Sequence, residues 1–228
     1  MGEAKVSEKR QYGQFCGLAS AMDLIGERWT ILIVRELLIG PGRFGDMIEN
    51  LPGVSPNMLA DRLRFLTEQG IIEVDKVPGD ARGKLYRLTP LGAQLRPAIH
   101  VLARWGMNFL TEEDATRSAS RAAWGFLAVQ TMIDVGKPTG VDEEYEFRVD
   151  DEVFSVTVHD GAATAHRGPA ANPALVLSAD AETFIRVGAK LLSPIEAVLT
   201  GKITAEGDPE AVQRCTQLLG LDQLVRAA

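Results

Sequence analysis

The residues best suited to reading a polyanion stand together in "SPNMLADRLRFLTEQG", Ser55 to Gly70. At about 100° per residue, Leu59, Leu63 and Leu66 form one stripe with Phe65 and Met58 beside it, and Asn57, Asp61, Arg64 and Glu68 fall opposite. Such side chains offer donors and acceptors to base edges and phosphates. Other chemistry does not assemble. His100, His159 and His166 are isolated, and no H-E-x-x-H, G-x-S-x-G or Cys cluster completes a catalytic or metal-binding set, so neither an enzyme, a cofactor nor a metal is expected. Cys16 and Cys215 lie far apart without flanking ligands, which argues against a disulfide framework or a structural zinc site. The seven carboxylates of "DEEYEFRVDDE", residues 142–152, miss the spacing of a calcium-binding hand; alternation with Tyr145, Phe147 and Val149 makes most of them the wet face of a strand. "GPGRFG", Gly40 to Gly45, matches G-x-G-x-x-G, but it follows a run of helical period and its own segment stops at Pro52, too soon for a crossover helix.

The elements that must carry the 55–70 segment precede and follow it closely. "FCGLASAMDLIG" has Leu18, Met22 and Ile25 at helical spacing, "TILIVRELLIG" has Ile31, Val34, Leu37 and Leu38, and "RFGDMIENLPG" offers a short third helix ended by Pro52 and Gly53. Ser55 is the N-cap of the fourth, with Pro56 at its first position. "IIEVDKV" and "KLYRLTP" read as two strands joined by "PGDARG", a tip bearing Arg82 with Lys84 just beyond. Thr89 and Pro90 open a fifth helix that Pro97 bends or splits. This order, a short helix, a turn, a capped helix and a basic-tipped hairpin, is that of a winged helix-turn-helix.

At 228 residues two domains are expected: 1–110, a polar linker at 111–120, and 121–228. The second half reads as α+β. A helix with Trp124, Leu127, Ala128, Thr131, Met132 and Val135 on one face precedes the strands "EYEFRV", "VFSVTVH" and "PALVLS". Helices then start at Asp180, at the capping box Ser193 to Glu196, and at Asp208-Pro209. No apolar run reaches the roughly 20 residues that span a bilayer, and the start lacks a secretion signal, so a cytoplasmic location is expected. The net charge of −7 is unevenly placed: residues 1–112 hold 14 Lys+Arg and 13 Asp+Glu, and the remaining 10 and 18 give −8. Only the first half can meet DNA on charge.

The run from Cys16 through Gly-Glu-Arg-Trp at 26 to 29, Arg43-Phe44, Leu59-Ala60-Asp61-Arg62-Leu63, and Tyr86-Arg87-Leu88-Thr89 leading to Gly92 resembles the HxlR-type winged helix-turn-helix regulators over residues 12–106. The resemblance implies a homodimer, built from the first and last helices of the domain, that holds two recognition helices about 34 Å apart on an inverted repeat of double-stranded DNA. By position it brings Asn57, Met58, Asp61 and Arg62 to base edges and Ser55, Arg43, Arg64, Arg82 and Lys84 to phosphates. Asp61 would accept from a cytosine amino group or pair with Arg64 or Arg62. The family also implies a redox role for Cys16, although no basic neighbour within four residues lowers its pKa and an apolar-flanked cysteine is ordinarily inert.

"DAETFIRVGAKLLSPIEAVLTGKITAEGDPEAVQRCTQLLG" resembles the C-terminal part of sterol-carrier-protein-like domains. This implies an apolar cavity for a hydrophobic small molecule or lipid, walled by Phe184, Leu191, Leu192, Ile195, Val198 and Leu199 and facing Trp124, Phe147, Phe154 and Val156. The same residues would also make a closed core. The expected function is ligand-responsive transcription regulation; the alternatives are a lipid carrier that uses its first half for dimerisation or protein contacts, and a redox-responsive regulator acting through Cys16.

Overall fold

The computed structural model describes residues 11–77, 79–117, 120–133 and 140–221, with backbone alone at 77, 81, 82 and 116. The chain divides into two compact units, Met1–Arg96 and Pro97–Ala228.

The first unit runs α1 (Gly17–Ile25), α2 (Thr30–Ile39), β1 (Gly42–Arg43), α3 (Phe44–Asn50), α4 (Pro56–Glu68), β2 (Ile72–Val77), β3 (Asp80–Leu88) and α5 (Pro90–Ala93). Its three-stranded antiparallel sheet has the order β1-β3-β2. The two-residue β1 escapes sequence reading because a strand so short carries no period; it exists by pairing Gly42 with Tyr86 and Arg43 with Leu85. Leu59, Leu63 and Leu66 of α4 are buried with Ile33, Leu37, Met47 and Ile72, so one face of α4 is fixed and the other is outward. Ser55 caps α4 by accepting the Met58 N–H at 3.3 Å.

Two residues of the sequence resemblance acquire physical reasons. Trp29, the last of Gly-Glu-Arg-Trp, sits at φ 75 as N-cap of α2, a conformation costly for a bulky side chain, with its ring beside Gly53 and under the Arg28 guanidinium at 5.1 Å. A Cβ on Gly92 would lie 2.1 Å from the Ile71 carbonyl oxygen, so no larger residue lets α5 dock there.

The second unit holds the rest: α6 (Arg96–Met107, from Pro97 on), α7 (Glu112–Arg117), α8 (Ala122–Ile133), β4 (Glu143–Val149), β5 (Glu152–His159), β6 (Ala162–Arg167), β7 (Pro173–Ala179), α9 (Ala181–Gly188), α10 (Pro194–Leu199), β8 (Ile203–Gly207) and α11 (Pro209–Leu218). Strand order is β6-β5-β4-β7-β8, with β4 and β7 parallel and the other pairs antiparallel. Tyr145, Phe147, Val149, Phe154, Val156 and Val158 are all buried, as their alternation predicts. Asp180 and Asp208 cap α9 and α11.

Several expectations change. The helix after Thr89 breaks before Pro97, which therefore occupies the first turn of α6, where its missing N–H costs nothing. Residues 111–120, expected as a linker, contain α7. That polar run needs no apolar stripe, because Thr111 and Asp114 cap it reciprocally (2.9 and 3.2 Å), and Glu112 reaches Arg186 of α9 at 2.7 Å. Ser193 starts α10 without any side-chain cap bond, so the capping box is not formed. β6 was not anticipated, since "AATAHR" lacks strand-forming residues and is made a strand by pairing with β5. Val135 lies outside the described residues.

Candidate nucleic-acid interface and apolar cavity

Asn57, Met58, Asp61 and Arg64 are exposed on the outward side of α4, and Arg62 is half-buried at its flank. Each described arginine expected at DNA is already engaged: Arg64 with Asp61 at 2.5 Å, Arg62 with Glu27 at 3.8 Å, Arg43 with Asp80 at 3.5 Å. The Asp61–Arg64 pair is one of the roles open to Asp61. These are surface pairs, each worth about 0–1 kcal/mol, so exchanging a carboxylate for a phosphate is cheap. The Arg82 side chain lies outside the described residues. Lys84 stands directly opposite Lys76 across the wing, and among the described residues neither has an acidic partner. Lys76 was missed because its juxtaposition depends on the hairpin register, which shifts between Lys76 and Val77.

Cys16 is exposed at the N-cap of α1. The amides of Ala19 and Leu18 at the helix start hold its thiol below the ordinary value. The lowering agent is thus backbone rather than a basic side chain. His159 is not isolated as expected: the β5–β6 turn brings its Nδ1 to Asp142 at 2.7 Å and its Nε2 within 3.5 Å of Asp160. These three offer ligand atoms within 4.8 Å of one another, the one such group among the described residues, and all are exposed. His100 is buried on α6 and His166 is exposed on β6.

The carboxylate run also departs from a uniformly wet face. Glu146 is buried, accepting from Arg148 and from the Ala170 N–H, and Glu143 is held by Arg214 at 2.7 and 2.8 Å and by the Tyr145 hydroxyl. Burial raises the Glu143 carboxyl, and hydrogen bonds from Arg214 and Tyr145 more than offset this, leaving it below its usual range. Asp208, bonded by the Glu210 N–H and by Arg214, is lowered too. Their common partner Arg214 braces α11 against β4.

A cavity of about 240 Å³ lies inside the second unit. Of the residues expected around it, Phe147, Phe184, Ile195, Val198 and Leu199 do line it. Phe154 and Val156 do not: they sit on β5, paired with Phe147 and Tyr145 one strand further out, and Phe154 stacks on Phe147 at 5.4 Å as closed core. Leu192 is buried core, Leu191 falls in the turn after α9, and Trp124 lies by Arg121 at 6.0 Å; none of the three lines the cavity. Other parts of the wall come from β7 (Leu177, Ala179), α8 (Ala128, Met132), α9 (Val187), β8 (Ile203) and α11 (Val212, Cys215, Thr216). Neither the α11 residues nor the β7 pair was expected there: the α11 residues recur at helical spacing but nothing local says what they face, and β7 reaches the cavity through β4, distant in sequence. Burial pushes the Cys215 thiol up to about 12.

A two-helix turn feeding an outward polar helix, followed by a hairpin wing, defines the first unit as a winged helix-turn-helix, and the second is an α+β fold around an apolar cavity. The profile of the HxlR-like helix-turn-helix family matches residues 24–114, and that of the SCP-2 sterol transfer family matches residues 138–220. Uncharacterized HTH-type transcriptional regulators of Mycobacterium tuberculosis are 46% identical over 92 residues, 40% of this chain and 56% of the relatives, so the chain spans about half the length of these curated relatives. The HTH-type transcriptional regulator YodB of Bacillus subtilis is 34% identical over 97 residues, 42% of this chain and 87% of that one. Its solved reduced form aligns with a TM-score of 0.38 at 34% identity, over 42% of this chain and 95% of that one. The chain belongs to the HxlR-like helix-turn-helix family. Among the described residues no helix is long and apolar enough to cross a membrane.

Proposed function

We propose that the protein is a cytoplasmic, homodimeric transcription regulator that binds an inverted repeat in double-stranded DNA through α4 and the wing, and answers to a hydrophobic small molecule held in the second unit. The observation that carries this reading is α4 itself: a capped helix whose apolar stripe is consumed by the core while Asn57, Met58, Asp61 and Arg64 are left outward. Base-edge readout falls to Asn57, Met58, Asp61 and Arg62, and phosphate anchoring to Ser55, Arg43, Arg64, Arg82 and Lys84. Dimerisation has exposed apolar residues to use in each unit: Phe15 and Leu18 at the start of the first, and Val101, Leu102 and Trp105 of α6 with Phe109 just past it in the second.

Ligand control follows if the ligand prefers one arrangement of the dimer over another; without such a preference it shifts nothing. The test is a band-shift on DNA upstream of the gene, with rising salt. A steep fall of affinity with salt supports DNA binding, whereas salt-independent or absent binding returns the lipid-carrier reading.

A second reading, redox control through Cys16, is favoured by the exposed sulfur at the start of α1 with its lowered pKa. Cys16→Ser should then abolish release of DNA by oxidant; unchanged release removes this reading and leaves the first intact.

A further inference from the structure

The cavity of the second unit carries information about what fits. Among the described residues its only oxygen-bearing side chain is Thr216, whose hydroxyl donates to the Val212 carbonyl at 2.7 Å and so has no proton left to give a ligand. Cys215, buried in the same wall, stays a neutral thiol at physiological pH. A carboxylate or other charged group placed inside would therefore lose its water with at most the Thr216 oxygen, an acceptor, to meet it, a cost of several kcal/mol that such a small site cannot return. The opening is bordered by α10, whose Ile195, Val198 and Leu199 are 48%, 41% and 81% exposed while also lining the cavity. Only the inner part of a long ligand would be dry.

Size sets the second limit. The 240 Å³ available lies below the roughly 300–1,000 Å³ of pockets for drug-sized molecules. A dry apolar cavity of about 150 Å³ accepts benzene, six carbons, and the same proportion gives about ten carbons here. A sterol's fused rings and side chain contain well over twice that number.

We infer that this cavity takes the apolar end of a single unbranched hydrocarbon chain, about ten carbons deep with its polar end outside, and excludes a sterol nucleus. The inference rests on the cavity being the ligand site proposed above and adds the class of ligand.

Calorimetric titration of the full-length protein with octanoic, decanoic, dodecanoic and hexadecanoic acids, and with cholesterol supplied from cyclodextrin, tests it. Affinity should rise about fourfold per methylene up to about ten carbons and less than twofold per methylene beyond, where the chain meets only the exposed rim. Cholesterol should not displace decanoic acid. Ala128→Leu and, separately, Ala179→Val fill part of the wall and should move the break to shorter chains. Displacement by cholesterol, a fourfold gain continuing to hexadecanoic acid, or a break that stays put in both variants overturns this inference alone. Failure of every chain to bind overturns it together with the ligand-binding reading.

Discussion

Under the proposed function, Lys84 and Asn57 would make two kinds of DNA contact at the level of single side chains. Lys84, opposed only by Lys76, is a point charge on the wing. Its replacement by Ala should weaken binding uniformly across sequences and lower the slope of log affinity against log salt by about 1, as read by fluorescence anisotropy in a salt series. Asn57→Ala should instead relax base preference, costing about 1–3 kcal/mol on the best site and little on random DNA. In the other half, Glu143 and Asp208 titrate lower in the fold than in the unfolded chain. Their contribution to stability is therefore complete above about pH 4, the ordinary carboxylate range, and is lost as pH falls through the depressed folded values. Thermal unfolding between pH 6 and 2.5 should show Tm dropping at the acid end. Arg214→Met should lower Tm by several degrees at pH 6 and flatten that acid dependence.

Among elements, α4 is the most exacting. Leu63, 1% exposed, anchors its inner face, so Leu63→Ala should cost about 2–5 kcal/mol in urea unfolding, while Ser55→Ala, removing one cap bond, should cost about 1 kcal/mol. On α6, Trp105 packs edge-on to Phe109 at 4.7 Å in an otherwise exposed apolar stripe. If that stripe is the dimer surface, Trp105→Glu should yield monomers in analytical ultracentrifugation with the helical signal kept. The α4 stripe and its Ser-Pro cap were legible because both are local: period and cap chemistry lie within a few residues. The β4 and β5 strands were legible for the same reason. What escaped was whatever depends on partners far away in the chain, namely β1 and β6, the Lys76–Lys84 register, the burial of Glu146 under Ala170, and the contribution of β7 to the cavity.

At the scale of the molecule, charge and chemistry are partitioned along the chain. The acidic surplus falls in residues 113–228, which carry the cavity, and the nearly neutral remainder carries the polar face of α4. Reciprocity makes the proposed coupling measurable from either end: whatever factor the hydrocarbon ligand imposes on DNA affinity, DNA must impose on ligand affinity. Decanoic acid titrated into the free protein and into its DNA complex should give the same ratio that band-shifts give with and without decanoic acid. A mismatch would mean that the two events do not share one equilibrium.

Arg104 of α6 donates to the Thr131 carbonyl of α8 at 2.7 Å, three residues after Ala128 and one before Met132, both of the cavity wall. Yet Arg104 lies inside the stretch matched by the helix-turn-helix family, residues 24–114. The second unit is thus not a cassette that can be lifted out at the edge of the family match. A chimera grafting it onto another DNA reader would have to bring residues 97–117 along, or it would lose the bond that ties α6 to α8 beside the cavity wall.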